Sequence, residues 1–152
     1  MFGLGKRRTI KQEKASNANG DRLMTAVTAM ESTFFQWKIG LHEEEREKPE
    51  AAAVLMGMFD SLAQAIGVNT ADSVPTFCVA LGKATDPVTQ NLDAGALLNR
   101  MLKTLSDPRL QPWVRYAGAK VHAIPVSHQN PTDTIFEVLK AVKAGHLLNA
   151  AQ

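Results

Sequence analysis

The chain has 152 residues, 45% of them apolar and 21% charged, which fits one globular domain and excludes a disordered or fibrous chain. No apolar run approaches the ~20 residues that a membrane-spanning helix needs. The net charge of +2 hides an asymmetry: residues 1–22 carry six basic and two acidic side chains, a net of +4, while the other 130 carry 11 basic and 13 acidic, a net of −2. The high pI of about 8.8 thus belongs to the amino-terminal end, and a mildly acidic remainder is a poor nucleic-acid surface as a whole. Met1 to Gly5 is too short for the apolar region of a signal peptide, and Phe2 breaks the myristoylation pattern. The single Cys78 has no internal disulfide partner, so a reducing, cytoplasmic setting is expected.

In chain order, residues 1–20 read as a flexible basic arm and residues 21–152 as a single helical domain. Glycines, charges and the string Ser16-Asn17-Ala18-Asn19-Gly20 leave the arm little to bury. A helix is predicted from Asp21, which can cap it. Leu23, Val27, Met30, Phe34, Trp37 and Leu41 follow at spacings of four and three, a heptad-like stripe that Met24 and Phe35 would widen. The pattern dissolves in His42-Glu43-Glu44-Glu45-Arg46-Glu47-Lys48, and Pro49 restarts the chain. Ala51, Leu55, Met58, Phe59, Leu62 and Ile66 mark a second helix ended by Gly67.

Val74, Phe77, Cys78 and Leu81 suit a short helix stopping at Gly82. Ala94, Leu97, Leu98, Met101, Leu102 and Leu105 give the clearest helical stripe in the chain. Trp113, Tyr116, Ala117, Val121 and Ile124 share one helical face, Arg115, Gly118 and His122 the other, and Pro125 is expected to end that helix. A last helix starts at Pro131 and carries Ile135, Val138, Leu139, Val142 and His146 on one face, with Gly145 near its end. Asp86-Pro87, Asp107-Pro108 and Asn130-Pro131 each place a capping side chain before a proline suited to the first helical turn. The fold expected is mainly α, a compact bundle of five to six helices; the alternative is α+β with short strands near 76–81 and 113–126.

Chemistry is sparse. A zinc-binding helix needs two histidines four apart, yet Arg46 stands four after His42, and no Glu precedes any histidine by three. His122 and His128 flank Pro125 without a local carboxylate. No metal or cofactor is therefore expected. Cys78 sits among Phe77, Val79 and Leu81, which reads as a buried, inert thiol. No serine occupies a Gly-x-Ser-x-Gly elbow. Gly3-Leu4-Gly5-Lys6 lacks the spacing and the preceding strand of a phosphate loop. The carboxylates from Glu43 to Glu50 read as a solvated face, with Glu44 and Lys48 placed to pair.

The reading that follows is a non-enzymatic interaction protein: an adaptor, small chaperone or accessory subunit of a larger assembly, with a protein partner or a second copy of itself. Met30, Phe34, Phe35, Trp37 and Met56 are the candidate partner-binding face. Lys6, Arg7, Arg8, Lys11 and Lys14 are candidate contacts for an acidic protein patch, for nucleic-acid phosphate or for an anionic membrane surface, with a merely solubilising terminus as the plain alternative. An accessory nucleic-acid-binding protein acting through the arm is the second reading. A small helical enzyme built on Cys78, Tyr116, His122 and His128 is the third.

Overall fold

Nine consecutive residues, Ala51 through Phe59, are all buried, and a helix that is apolar on every side has to sit inside its neighbours. This is α3 (Pro49–Ile66), and the rest of the bundle is arranged around it. The computed structural model describes the backbone of residues 2–84, 93–127 and 130–147, and the side chains of residues 20–69, 71–83, 93–124 and 130–147. The other helices are α1 (Phe2–Gly40), α2 (Glu43–Arg46), α4 (Thr70–Ala84), α5 (Ala94–Lys103), α6 (Gln111–Ser127) and α7 (Pro131–Ala144), with a 3-10 turn at Thr104–Ser106. No strand occurs among the described residues, so the molecule is mainly α. The strands weighed at 76–81 and 113–126 are replaced by α4 and α6.

α1 buries the predicted stripe. Val27, Met30, Phe34, Trp37 and Leu41 are interior, and Leu23 packs against the core from a partly buried position. Trp37 stacks on Phe34 with ring centroids 5.6 Å apart. Its indole N–H donates to the Ala51 carbonyl at 3.0 Å, tying α1 to the first turn of α3. Met24 and Phe35 do not widen this stripe: they are 51% and 61% exposed. Each lies one residue, about 100° of helix, beyond the buried line. α1 also runs through Asp21 without a break. The side chains of the expected basic arm before Gly20 lie outside the described residues.

The acidic linker forms the single turn α2. Glu45 accepts the His42 backbone N–H at 2.8 Å, a reciprocal cap that holds the turn's start. Arg46 donates to the carbonyls of Lys38 and Leu41, both at 2.9 Å, and so satisfies the end of α1. Arg100 of α5 reaches back to the Arg46 carbonyl at 2.7 Å. No ion pair joins Glu44 to Lys48 among the described residues.

Gly67 and Gly145 close α3 and α7 with φ of 84° and 76°, as their places in the sequence predict. Asn130 caps α7 by accepting the Thr132 N–H at 2.9 Å, with Pro131 in the first turn. Asp93 caps α5 in the same way through Gly95 and Ala96. Other punctuation behaves differently from expectation. α4 passes through Gly82 to Ala84, and Pro75 lies within it on an exposed side. α6 extends to Ser127, two residues past Pro125. Asp107-Pro108 caps a turn and not α6: the Asp107 carboxylate accepts the Arg109 N–H at 3.0 Å and its guanidinium at 3.1 Å. The Arg109 side-chain hydrogen bond holds the Asp107 carboxyl below its ordinary pKa. Leu105 leaves the α5 stripe because the chain tightens into the 3-10 turn there, and it ends 55% exposed. Asp86-Pro87 lies outside the described residues.

α3 and α6 meet at closest range. A Cβ on Gly57 would run into the Val114 carbonyl oxygen, and one on Gly118 would come within 3.3 Å of the Gly57 carbonyl oxygen. The two glycines let the helix backbones touch.

Candidate functional site

Four of the five residues expected on a partner-binding face are core residues. Met30, Phe34 and Trp37 are at most 1% exposed and Met56 is 4% exposed, so none of them can meet a partner without unfolding. Met56 is off the stripe of α3, but α3 is central and has no solvent side at that level. Phe35 is the exception. It belongs to a second line along α1, made by Met24, Thr28, Glu31, Phe35 and Ile39 at spacings of four, three, four and four, which bring them onto one face. Ile39 is 60% exposed. Thr28 donates its hydroxyl to the Met24 carbonyl at 2.9 Å. The outer face of α1 therefore exposes Phe35 and Ile39 side by side and Met24 about three turns earlier, with Thr28 and Glu31 between them.

A second surface is the groove between α3 and α6, created by the close approach at Gly57 and Gly118. It has a volume of about 360 Å³ and is lined by Asp60, Ser61, Gln64, Arg115 and His122 beside the two glycines. Here the sequence placed Arg115, Gly118 and His122 on one face of α6, and the structure turns that face toward polar residues of α3. The Asp60 carboxylate is held by the Gln64 side chain at 2.8 Å. Among the described residues no hydrogen bond links His122 to Asp60 or Ser61. Cys78 is elsewhere, exposed on α4; its neighbours Phe77 and Leu81 are buried but the thiol points the other way, which corrects the inert, buried thiol expected. Tyr116 belongs to a third place, where the Lys120 ammonium sits 5.7 Å from its ring centroid and 3.0 Å from Glu137. Burial pushes the Tyr116 phenol pKa up, with Lys120 opposing and Glu137 adding to the shift.

The third surface is a pocket. Gly40 lets α7 come close to the end of α1, with Leu139 Cδ1 only 2.5 Å from where a Cβ would stand. Toward the start of α7 the space between the helices widens into a cavity of about 260 Å³. α1 contributes Ala29, Ser32, Thr33 and Gln36 to it, α3 Leu62 and Ala65, α6 Val121 and Ile124, and α7 Pro131 and Ile135. Gln36 is one of its lining residues, and the side-chain Oε1 is itself sealed from solvent with no hydrogen-bond partner among the described residues. Nothing in the sequence pointed to this pocket, because Gln36 reads as an ordinary polar residue flanking an apolar stripe.

No group of three or more His, Cys, Asp or Glu side chains that could hold a metal ion occurs among the described residues. His128 lies outside them, as do the side chains of Lys6, Arg7, Arg8, Lys11 and Lys14. No single helix among the described residues is long and apolar enough to cross a membrane. No protein-family model matches the chain, and comparison with curated proteins and with solved structures finds no match.

Proposed function

We propose that this chain is a non-enzymatic interaction protein of the cytoplasm, an adaptor, small chaperone or accessory subunit, that docks a protein partner or a second copy of itself on the outer face of α1. The observation that carries the reading is the exposure of Met24, Phe35 and Ile39 on one stripe, at 51%, 61% and 60%. Apolar residues scattered singly over a surface are ordinary. Phe35 and Ile39 adjacent on one helix face, with Met24 further along it and about 100° round from the stripe already used for the core, form the kind of patch that a partner covers. An exposed free thiol at Cys78 suits a reducing compartment.

The test uses the full chain. Phe35→Glu and Ile39→Glu each place a charge on the stripe, and at such exposed positions stability should change by no more than ~0.5 kcal/mol. Wild type is expected to form a defined oligomer or a stoichiometric complex by native mass spectrometry and affinity capture, and each variant is expected to lose it while melting normally. A wild type that is monomeric and partnerless, or variants that retain every partner, would overturn the reading.

A further inference from the structure

We infer that the groove between α3 and α6 is a binding site for a small zwitterion, a free α-amino acid, with its carboxylate on Arg115 and the Ser61 hydroxyl and its ammonium on Asp60. The first observation is charge. Asp60 and Arg115 are the one acid and the one guanidinium among the described lining residues, and they do not pair with each other. The Arg115 guanidinium makes no hydrogen bond or ion pair among the described residues, and the Asp60 carboxylate has only the neutral Gln64 amide. A simple anion in this groove would gain Arg115 but face Asp60, and a simple cation would do the reverse. A molecule carrying both charges is attracted by both walls, and a guanidinium holds a carboxylate through two parallel hydrogen bonds. At about 360 Å³ the groove lies at the small end of ligand pockets, which run from roughly 300 to 1,000 Å³. That size suits a single amino acid.

The second observation is the Ser61 hydroxyl. Ser61 lines the groove and is only 8% exposed, yet it makes no hydrogen bond among the described residues. A helical serine or threonine ordinarily donates to the carbonyl one turn back, as Thr25, Thr28 and Thr76 do. For Ser61 that carbonyl belongs to Gly57, and Gly118 lies against its oxygen. Unlike Gln36 Oε1, Ser61 Oγ is not sealed from solvent, so a ligand oxygen can reach it. Buried polar side chains almost always have a partner, and a carboxylate laid on Arg115 supplies one. Gly57 and Gly118 add no side chain to the groove, which leaves room beside Ser61. Gln64, Arg115 and Ala119 on its rim are exposed, so entry needs no unfolding.

L-Alanine, N-acetyl-L-alanine and L-alaninamide test the inference, since the second lacks the ammonium and the third lacks the carboxylate. Binding is read from amide NMR shifts of the full chain, which also report that each variant is folded. L-Alanine is expected to bind, to shift the Ser61 and Gly118 amides, and to bind roughly two- to fivefold more tightly than either blocked form, the worth of one solvent-accessible ion pair. Asp60→Asn should erase its advantage over N-acetyl-L-alanine, and Arg115→Gln its advantage over L-alaninamide. Ser61→Ala should weaken L-alanine roughly two- to tenfold, the worth of one net hydrogen bond. Ala119→Phe fills the groove from its exposed rim and should abolish binding of all three. No binding of L-alanine at millimolar concentration overturns the site, and binding that survives Ala119→Phe overturns its location. A blocked form that binds wild type as tightly as L-alanine overturns the zwitterion, and unchanged affinity in Ser61→Ala overturns the role of the hydroxyl.

Discussion

The glycine contact between α3 and α6 makes the sharpest quantitative prediction. Gly57→Ala would gain ~1 kcal/mol if helix propensity alone decided it. The added methyl, however, meets the Val114 carbonyl oxygen, with the carbonyl carbon and Cα of the same residue at 3.0 Å. All three are backbone atoms, so no rotamer change relieves the clash, and α6 must move off α3. Overpacking of a tight core costs ~1–3 kcal/mol, and an unyielding obstacle belongs at the upper end. The net expectation is a loss of about 2 kcal/mol, which lowers the melting temperature of a chain this size by roughly 4–8 °C. Gly82→Ala is the matched control. Gly82 is also inside a helix, but no described atom lies within 4 Å of an added Cβ and its φ is not positive, so the variant should gain ~0.4–1 kcal/mol. Thermal and urea unfolding followed by circular dichroism measure both. If Gly57→Ala is as stable as wild type or more so, the helices are not in backbone contact and the reasoning fails.

Two further outcomes follow from single side chains. Trp37→Phe removes the donor to the Ala51 carbonyl and leaves unfilled volume beside Phe34, so unfolding free energy should fall by ~1–3 kcal/mol; an unchanged urea midpoint would show that the indole hydrogen bond anchors nothing. Tyr116 is the only tyrosine in the chain, so the ultraviolet absorbance of tyrosinate reports it alone. Its pKa is raised by burial, so the folded state favours the neutral phenol. That contribution to stability is complete below the ordinary value near 10 and is lost as pH rises through the folded value. The absorbance midpoint should lie above 10, rise further in Lys120→Met and fall in Glu137→Gln; a midpoint at or below 10 would refute the burial argument.

Much of the fold was legible in the sequence wherever one face of a helix meets the core and the other meets water. The stripes of α1, α6 and α7 have that form, and Gly67, Gly145 and Asn130 carry local backbone chemistry that no tertiary contact overrides. α3 was read as one-sided because the spacing of Ala51, Leu55 and Met58 allows it. Its burial all round comes from its neighbours, and a single helix's sequence does not name those. Gly57 and Gly118 carried a signal that went unused: glycine inside a helix costs stability unless something needs the space. Leu105 fitted an ideal helical period, but the chain abandons that period one residue earlier, at Thr104. Arg46 and Arg100 were hidden within charge counts, since their work is done on backbone carbonyls of distant residues.

The site divides along the same line. Met24, Phe35 and Ile39 were visible as apolar residues but not as exposed ones, because the sequence does not say which of two apolar stripes turns inward. The packing of α1 on α3, α4 and α7 decides it. α1 then has three distinct sides: the Phe34–Trp37 line in the core, the Ala29–Thr33–Gln36–Gly40 line against α7 and the pocket, and the Phe35–Ile39 line in solvent. Phe35 and Gln36 are consecutive, yet about 100° of rotation separates them, so they serve different surfaces. Phe35→Glu should therefore abolish docking and leave the melting temperature unchanged, while Gln36→Leu should leave docking intact. Loss of docking in Gln36→Leu as well would mean that α1 itself had lost its packing, and that its outer face had not been measured.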